Sequence, residues 1–491
     1  MFKDTTPEEI DKAMHEAWDA YLIYKKTSLK ERNRLMHTIA DLLENSGEEI
    51  IHTAMEETHL PEARLKGERA RTVLQLRQYG DAAEEGSWLD LRINTADEKS
   101  NYPDVRKTKV ALGPVVVFGS SNFPFAYSTA GGDTACALAA GCPVIVKAHP
   151  AHAKTSQMVA DIISKAVEKV KLPKAVFTHL HGISFDVSKA LVMHPLTKAV
   201  GFTGSLSGGK QLFDWGNQRE EPIPVFSEMG STNPVFLLPG KIKSDAEEIA
   251  RQYAGSITNG VGQFCTKPGL IIAIDDGSVD GFKEILKEKI ENTAAQKMLH
   301  AGIAKAFAQK KEKALQQKGV SVMAATTVET DISEGQPAVA TVSAKEFIKN
   351  QLLRDEVFGP FSLIILCKDF KEMADVASVL KGQLTATIIG NEEEVKQHRD
   401  LCDKIENICG RFILNGVPTG VTVCTAMQHG GPFPATTDSR FTSVGSDGIS
   451  RFVRPIAFQN WPNKLLPEEL QNENPLHFWR TVNGKMTKDA I

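Results

Sequence analysis

The stretch 114-PVVVFGSSNFPFAYSTAGGDTACALAAGCPVIVKAHP-150 decides the fold. Short apolar runs lie at both of its ends, PVVVFG at 114–119 and PVIVKA at 143–148, and small residues rich in alanine lie between them. We predict strands at both runs and a helix at about 126–140. Strands that alternate with helices in this way form βαβ units with parallel strands.

The same alternation continues towards the C-terminus. Further strands are predicted at 175-AVFTHL-180 and 198-KAVGFTG-204, with helices at about 153–170 and 184–194. After Pro224 a second series of candidate strands follows, at 233–238, 269–274, 362–367, 385–390 and 411–416. The simplest interpretation is two α/β domains, each with a parallel sheet.

The flanking segments follow other patterns. Residues 7–50 predict two amphipathic helices with Thr6 as the first N-cap, and residues 61–80 predict another helix. Residues 88–111 alternate with period two around a polar turn, which predicts a hairpin. The tail from Arg451 loses periodicity, and we expect it to pack as an arm on another subunit.

Length and composition exclude several classes of protein. The chain has 491 residues, and single cores stop growing at about 250–300 residues, so more than one domain is expected. The net charge is only −4 and no basic stripe stands out, which argues against nucleic-acid or membrane-surface partners. The N-terminus is polar and the apolar runs are short, so neither a signal peptide nor a membrane span is expected.

The chain has seven cysteines, none of them in a CxxC pair. This odd number, without a histidine cluster, predicts neither a disulfide framework nor a metal site, and it fits a cytoplasmic protein. Cys265 stands apart in 259-NGVGQFCTKPG-269, between a glycine-rich approach and a short turn. A nucleophilic thiol needs exposure and a lowered pKa, which loops can supply. The alternative is a buried structural cysteine, which suits the other six better.

Two further polar residues are candidates for catalysis. Glu228 lies in 225-VFSEMGSTNPVFLL-238, in what we predict to be a short turn before a strand. Beside a thiol it could activate water, although a lone glutamate there is usually a solvated surface charge. Asn122 follows the first strand, and its amide could donate to a developing oxyanion or simply cap a turn.

Two other segments are compatible with a cofactor site. The turn 200-VGFTGS-205 leads into 206-LSGGKQLF-213 and could present backbone N–H groups to a phosphate at a helix start. This signal is weak alone and is not a GxGxxG motif. The segment 355-DEVFGPF-361 places a carboxylate and an aromatic ring just ahead of a strand.

Together and in this order, these segments resemble the aldehyde dehydrogenase superfamily, from about residue 8 to about residue 465. The motifs are NFP, GFTGS, Glu-x-x-Gly-x-x-Asn-Pro, the cysteine of GQxC, and Glu-x-Phe-Gly-Pro. The resemblance implies that Cys265 attacks an aldehyde to give a thiohemiacetal and then a thioester. Asn122 and the Cys265 backbone N–H would hold the oxyanion, and Glu228 would activate the hydrolytic water.

The resemblance also implies an NAD(P) site. Gly204 and Ser205 match the turn near the nicotinamide and pyrophosphate, and Glu356, with Phe358 beside it, matches the residue that holds the nicotinamide ribose.

The choice between the two cofactors is expected at 147-KAHP-150. NAD-preferring members often show Lys-Pro-x-Glu there, and Pro150 stands where that glutamate would be. Without the carboxylate, a 2′-phosphate is not repelled, and Lys147 and His149 could add positive charge. We therefore predict NADP, and use of NAD stays open as the alternative. His149 could equally be an exposed loop residue.

The resemblance implies a division of the chain as well. A Rossmann-like cofactor domain would cover 1–227, with the 88–111 hairpin belonging to a β oligomerisation arm. An α/β catalytic domain would cover 228–426, and 427–450 would return to the cofactor domain. Residues 451–491 would form the C-terminal part of the arm and the tail, and a homodimer or homotetramer would follow.

Three stretches resemble the 2-oxoglutarate semialdehyde (2,5-dioxopentanoate) dehydrogenases in particular, at 65–79, 145–156 and 415–445. The acid end of such a substrate needs a cation, best supplied by arginine through a bidentate pair. The candidates within these stretches are Arg71, Arg77 and Arg440. The alternative is that each belongs to a surface ion pair or holds a loop.

Other functions remain open at this point. The same stretches resemble some long-chain fatty aldehyde dehydrogenases, and 417-VPTGVTVCTAM-427 suits a hydrophobic tunnel wall or plain core. A CoA-acylating aldehyde dehydrogenase or an acyl phosphate reductase would need no water-activating base, so Glu228 argues for hydrolysis. A non-catalytic relative with a structural role should have lost Cys265 or Glu228.

Overall fold

The computed structural model describes residues 2–97, 99, 101–326 and 331–491. Its helices are α1 Pro7–Tyr24, α2 Leu29–Glu44, α3 Glu49–Thr58, α4 Glu62–Glu85, α5 Gly132–Ala140, α6 Ala153–Lys169, α7 Phe185–Met193, α8 Leu206–Gln218, α9 Pro239–Thr258, α10 Asp280–Glu291, α11 Ala301–Leu315, α12 Ala344–Lys349, α13 Phe370–Val379, α14 Glu392–Gln397 and α15 Arg399–Glu406. No helix within these ranges has the length and apolar surface that a bilayer span requires.

The strands are β1 Arg92–Asn94, β2 Val105–Ala111, β3 Val115–Phe118, β4 Val144–Lys147, β5 Phe177–Leu180, β6 Ala199–Thr203, β7 Val225–Glu228, β8 Val235–Leu237, β9 Leu270–Ile274, β10 Gln296–Lys297, β11 Ser321–Ala325, β12 Glu334–Gly335, β13 Ala338–Ser343, β14 Phe361–Cys367, β15 Gln383–Ile389, β16 Cys409–Leu414, β17 Val453–Gln459, β18 Arg480–Val482 and β19 Lys485–Thr487.

The first sheet has the order β5-β4-β3-β6-β7, with all neighbours parallel. Along β3, Val115 and Val117 join one hydrophobic cluster, and Val116 and Phe118 join another on the opposite face. Alternate side chains of a strand point to opposite faces, and here both faces are covered. The continuous apolar run at 115–118 is therefore the expected sequence of a central parallel strand.

The second sheet has the order β11-β13-β14-β9-β8-β15-β16, and only the β11–β13 pair is antiparallel. Successive side chains of β9 again point to opposite faces of the sheet, since Ile271 and Ile272 belong to different hydrophobic clusters. Two parallel α/β layers were expected, and both are present. Strand β13 was not predicted.

A third sheet, β17-β2-β1-β18-β19, combines the hairpin with the C-terminal tail. The predicted hairpin at 88–111 is confirmed by the antiparallel pairing of β1 with β2, although positions 98 and 100 lie outside the described residues. The tail supplies the other three strands. Thr6 is confirmed as the N-cap of α1, because its side chain accepts from the Glu9 amide.

The segment after β3 differs from the prediction. A helix was expected from about residue 126, but α5 begins only at Gly132. The preceding residues close into a loop, in which the Ser120 amide donates to the Tyr127 carbonyl at 2.9 Å. A Cβ atom on Gly131 would lie 2.7 Å from the Ala126 carbonyl oxygen, so the loop needs glycine there.

Residues 427–445, which we call the return segment, pass beside the end of β7. The Met229 amide donates to the Ala435 carbonyl at 2.8 Å, and the Ser227 amide donates to Thr437 Oγ1 at 2.9 Å. Glu228 is the last residue of β7, so its predicted place in a turn before a strand was wrong. The return segment thus reaches the carboxyl end of the first sheet, where ligands bind in open α/β sheets.

Candidate active site

Cys265 follows a strained turn between α9 and β9. Gly260, Val261 and Gly262 have φ angles of 53°, 58° and 62°. A Cβ atom on Gly262 would collide with the main chain of Gly359, so this position requires glycine. Val261 is β-branched, and holding such a residue at positive φ costs about 1–3 kcal/mol. The turn places the Cys265 thiol in the wall of a cavity.

The Cys265 thiol is not activated in this structure. Burial raises the pKa of Cys265 well above its usual range, and the neighbouring Glu228 charge raises it further. The Arg411 guanidinium acts in the opposite direction but does not compensate. The expectation of a lowered thiol pKa is therefore wrong here, because desolvation and a like charge both disfavour the thiolate.

Glu228 is buried at the end of β7, with an exposed fraction of 3%. Ser443 donates its hydroxyl to Oε2, and His429 Nε2 lies 2.9 Å from Oε1. Burial raises the pKa of Glu228, but His429 and Ser443 together outweigh it, so the pKa is below its ordinary value. Glu228 is therefore an oriented carboxylate and not a solvated surface charge.

His429 was not singled out from the sequence. It is fully buried, and its Nε2 lies 3.7 Å from Cys265 Sγ as well as beside Glu228. The reactive atoms of these three residues all lie within 4.8 Å of one another. The only available signal was its position in 428-QHGG-431, within a stretch already recognised as characteristic of a subgroup.

Asn122 lies in the loop after β3 and faces the turn that carries Cys265. Its Nδ2 donates to the Gln263 carbonyl at 3.1 Å, and its own carbonyl accepts from Arg64 Nη2 at 2.8 Å. The Arg64 guanidinium lies over the rings of Phe123 and Phe264, at 5.0 and 4.6 Å from their centroids. Asn122 and Cys265 line the same cavity.

One face of α4 holds the loop that carries Asn122. Glu68 accepts from the amides of Phe125 and Ala126 at 2.8 and 3.0 Å, one turn beyond Arg64. Burial raises the pKa of Glu68 to about 7. Since residues at i, i+4 and i+7 share a helix face, Arg64, Glu68 and Arg71 form one row against this loop.

A cavity of about 390 Å³ joins most of the predicted site residues. This volume is within the range of small-molecule sites. Its lining includes Asn122, His149, Gly204, Ser205, Glu228, Cys265, Glu356 and Phe358. Lys147 is not among its lining residues.

One end of the cavity has the groups that a dinucleotide needs. Ser205 caps α8 by accepting from the Gly208 amide at 3.2 Å, so a helix N-terminus opens at the cavity. Helix N-termini bind phosphates. Glu356 is a half-buried carboxylate in the same lining, and the Ser231 amide donates to it at 3.4 Å. These residues fit a phosphate and a ribose hydroxyl.

His149 does not supply the positive charge that was expected. Burial lowers the pKa of His149 well below its usual value, and neighbouring cations lower it further, so the imidazole is neutral. Its Nδ1 accepts from the Ala151 amide at 3.1 Å. His149 is half-buried and lines the cavity, so it is not an exposed loop residue either. Burial also lowers the pKa of Lys147, at the end of β4.

Two of the three arginines predicted as candidates for binding the substrate carboxylate form surface ion pairs instead. Arg77 Nη2 lies 2.9 Å from Asp41 and 2.6 Å from Glu44, in a surface ion pair. Arg440 is 79% exposed at its side chain and pairs with Asp438 at 2.5 Å. Neither lines the cavity, and each already has a carboxylate partner.

Parallel α/β sheets, and a cavity that joins a thiol, a buried carboxylate and a helix N-terminus, are the features of a dinucleotide-dependent oxidoreductase. The chain belongs to the aldehyde dehydrogenase family, which its residues 1–433 match. NAD(P)-dependent oxidation of an aldehyde is therefore its activity.

Two relatives and one solved structure are similar over most of their lengths. Alpha-ketoglutaric semialdehyde dehydrogenase 2 of Azospirillum brasilense is 45% identical over 481 residues, 97% of this chain and 91% of that protein. Alpha-ketoglutaric semialdehyde dehydrogenase of Acinetobacter baylyi is 42% identical over 493 residues, 100% of this chain and 93% of that protein. Succinic semialdehyde dehydrogenase from Streptococcus pyogenes, solved with NADP⁺, has a TM-score of 0.78 at 19% identity and covers 93% and 96% of the two chains.

Proposed function

We propose that this enzyme oxidises 2-oxoglutarate semialdehyde to 2-oxoglutarate. The observation that carries this proposal is the identity of 45% and 42%, over nearly the full length, to two proteins named for that substrate. A site with a thiol, an oriented carboxylate and an amide donor on one cavity supports hydrolytic aldehyde oxidation in general.

Cys265 is the proposed nucleophile. The Cys265 thiol first gives its proton to solvent water. The thiolate sulfur then forms a bond to the aldehyde carbon while the carbon–oxygen π bond breaks, and the former carbonyl oxygen becomes an oxyanion. In this proposal the Asn122 side chain and the Cys265 backbone N–H stabilise that charge. Bound NAD(P) supplies the acceptor for the hydride, after which the carbon remains on sulfur as a thioester.

Glu228 is the proposed base for hydrolysis. It takes a proton from water, the hydroxide oxygen adds to the thioester carbon, and the carbon–sulfur bond breaks to release the acid and the thiolate. His429 is a positioning residue in this step, because its Nε2 lies 2.9 Å from Glu228 Oε1 and 3.7 Å from the sulfur. One imidazole nitrogen thus faces both the carboxylate and the sulfur, whose anions would otherwise repel each other.

We propose Gly204, Ser205, Glu356 and Phe358 as cofactor-binding residues and NADP as the preferred cofactor. The argument for NADP rests on Pro150, since no carboxylate stands at this position to repel a 2′-phosphate. It no longer rests on a charged His149, which is neutral.

We also propose a cytoplasmic homodimer or homotetramer. All seven cysteines are free, as expected in a reducing compartment. The third sheet and its flanks leave large apolar side chains exposed at Trp461, Leu465, Trp479 and Met486, which fits an arm that packs on another subunit. Light scattering in solution measures this directly, and a monomer at micromolar concentration would contradict it.

A small substrate panel tests the proposed activity. Formation of reduced cofactor at 340 nm is measured with NAD and with NADP, using 2-oxoglutarate semialdehyde, succinate semialdehyde, hexanal and a long-chain aldehyde. The highest kcat/KM is expected with 2-oxoglutarate semialdehyde and NADP. A higher kcat/KM with the uncharged aldehydes would overturn the substrate assignment, and Cys265→Ala controls for background oxidation.

A further inference from the structure

Arg411 is an unusual cation on the edge strand β16. Its side chain is half-buried and close enough to Cys265 and Tyr127 to interact electrostatically with both. Its guanidinium donates to the Gly420 carbonyl at 2.8 Å and to the Pro418 carbonyl. Arg411 therefore lies between the nucleophile and the loop at 418–421.

Arg71 reaches the same loop from the opposite side. It lies on α4, in the row that holds the Asn122 loop, and donates to the Val421 carbonyl. Its Nη2 also lies 3.4 Å from the Tyr127 hydroxyl, and its guanidinium carbon is 5.9 Å from that ring centroid. The two arginines thus converge on Tyr127, one from the N-terminal helices and one from the second sheet.

Neither guanidinium is neutralised by an ion pair. Within the part of the chain that the structure describes, no carboxylate lies at ion-pair distance from Arg71 or Arg411, and the Nε of each is buried without a hydrogen-bond partner. Glu68 is the acidic group nearest Arg71 in sequence, but its Oε1 accepts from two backbone amides. Their protein partners are main-chain carbonyls and the Tyr127 hydroxyl, so two half-buried cations without a carboxylate partner lie next to the cavity wall and favour an anionic ligand there.

Tyr127 connects the arginines to the reacting atoms. Tyr127 lines the cavity with Cys265, whereas Arg71 and Arg411 lie behind it and are not among the lining residues. Its ring centroid is 6.5 Å from that of His429, and its hydroxyl is 3.4 Å from Arg71 Nη2. The loop is tied to the nucleophile turn as well, since Thr419 Oγ1 donates to the Thr266 carbonyl at 3.3 Å. In 2-oxoglutarate semialdehyde, four carbon–carbon bonds of about 1.5 Å separate the aldehyde carbon from the carboxylate carbon, a reach of about 5 Å.

We propose that Arg71 and Arg411 form a clamp for the carboxylate of the substrate, on the Tyr127 side of Cys265. This inference rests on the proposed function, because it requires an aldehyde that carries an acid group at its far end. The clamp selects acid semialdehydes over neutral aldehydes, since planar guanidinium groups bind carboxylates through paired N–H donors.

The test compares acid and neutral substrates of matched length. Arg411→Met and Arg71→Met are assayed with 2-oxoglutarate semialdehyde and succinate semialdehyde, and with pentanal and butanal. Losing a charged hydrogen bond should lower kcat/KM on the order of 10- to 100-fold for the two acids. The loss with the neutral aldehydes should be at least several-fold smaller. Arg411→Lys keeps the positive charge but not the paired N–H donors. Its kcat/KM for the acids should lie between those of wild type and Arg411→Met.

Arg77→Met is the matched control, since Arg77 is an arginine of the same helix that pairs on the surface. It should leave kcat/KM unchanged for all four substrates. An equal loss with acids and neutral aldehydes in the Arg71 and Arg411 variants would mean that these residues only hold the loop, and would overturn the clamp. No loss would overturn it too.

Failure of the clamp and failure of the proposed substrate are separated by the wild-type enzyme. If wild type prefers succinate semialdehyde, the named substrate is wrong, but the variants still test the clamp with that acid. Glutarate binding gives a readout that does not depend on turnover. Glutarate should raise the thermal midpoint of wild type and of Arg77→Met but not of Arg411→Met, and equal protection of all three would refute the clamp.

Discussion

Replacing Glu228 with glutamine should make Cys265 more reactive towards a small alkylating reagent while it disables turnover. The substitution keeps the size of the side chain and a carbonyl oxygen that can accept from Ser443. It removes the negative charge that, after burial, is the largest influence raising the pKa of the Cys265 thiol. The thiolate fraction at a fixed pH must therefore increase.

The expected size of the effect follows from the geometry. The reactive atoms of Cys265 and Glu228 lie within 4.8 Å. Two unit charges at that distance repel by about 3.5 kcal/mol at an effective dielectric constant of ~20, and by about 0.9 kcal/mol at that of water. Since 1.36 kcal/mol corresponds to a factor of ten, the rate of alkylation should rise between about 4-fold and about 400-fold.

The assay is the rate of iodoacetamide modification of Cys265 at pH 7, followed by mass spectrometry of the peptide that contains it. The other six cysteines serve as internal references. Glu356→Gln is the matched control, because Glu356 also raises the pKa of the thiol but ranks below Glu228 among its causes. It should accelerate modification less.

Turnover should respond in the opposite direction. Without its base, the Glu228→Gln enzyme should give one burst of reduced cofactor and then stall, with a steady-state rate lower by about 10²- to 10⁴-fold. If alkylation instead slows in this variant, Glu228 serves the thiol as a base and does not repel it, and the electrostatic reasoning is refuted.

Four further predictions concern neighbouring residues. Asn122→Ala should lower kcat by about 10²- to 10³-fold through loss of an oxyanion donor, and a loss below threefold in single-turnover assays would remove it from the mechanism. His429→Gln keeps a donor and should retain more steady-state turnover than His429→Ala, whereas equal rates would exclude a hydrogen-bond role. Pro150→Glu should lower the kcat/KM ratio of NADP to NAD on the order of tenfold by repelling the 2′-phosphate, and an unchanged ratio would show that another residue sets the choice. Glu68 has a pKa near 7 when folded against 4.5 ordinarily, so the folded chain holds a proton that the unfolded chain has lost. The free energy of unfolding should thus fall by about 3 kcal/mol from pH 4.5 to 7. Glu68→Gln lacks this contribution, so its thermal midpoint should decline less over the same range. An equal decline in both proteins would mean that Glu68 titrates normally.

The parallel strands were predictable because their apolar runs are continuous. A strand that is covered on both faces is apolar at every position, so Val115–Phe118 stands out in the sequence as a continuous apolar run. Strand β7 was missed because it ends in Glu228, and a carboxylate in a fully buried strand contradicts the pattern. The loop at 119–131 was missed because its small residues look helical, while its hydrogen bonds depend on α4.

The cavity residues that carry family motifs were foreseeable, and those placed by tertiary contacts were not. His429 lies 164 positions from Cys265, and no local pattern joins them. Helical geometry, in contrast, could have separated the arginines of α4. At 100° per residue, Arg71 shares a face with Arg64, whereas Arg77 lies about 120° away from Arg71. Arg440 offers no comparable signal, since its partner Asp438 is local.

The return segment has a consequence for how the enzyme is made. Cys265, Asn122 and the strand that carries Glu228 are synthesised well before residues 427–445, which supply the Ser443 hydroxyl and the His429 imidazole beside that carboxylate. Synthesis proceeds from the N-terminus, so the thiol is complete on the ribosome while its base still lacks its two orienting partners. The proposed base would thus become oriented as one of the last events of synthesis, and a nascent chain stalled before His429 would hold a thiol that has no oriented carboxylate beside it.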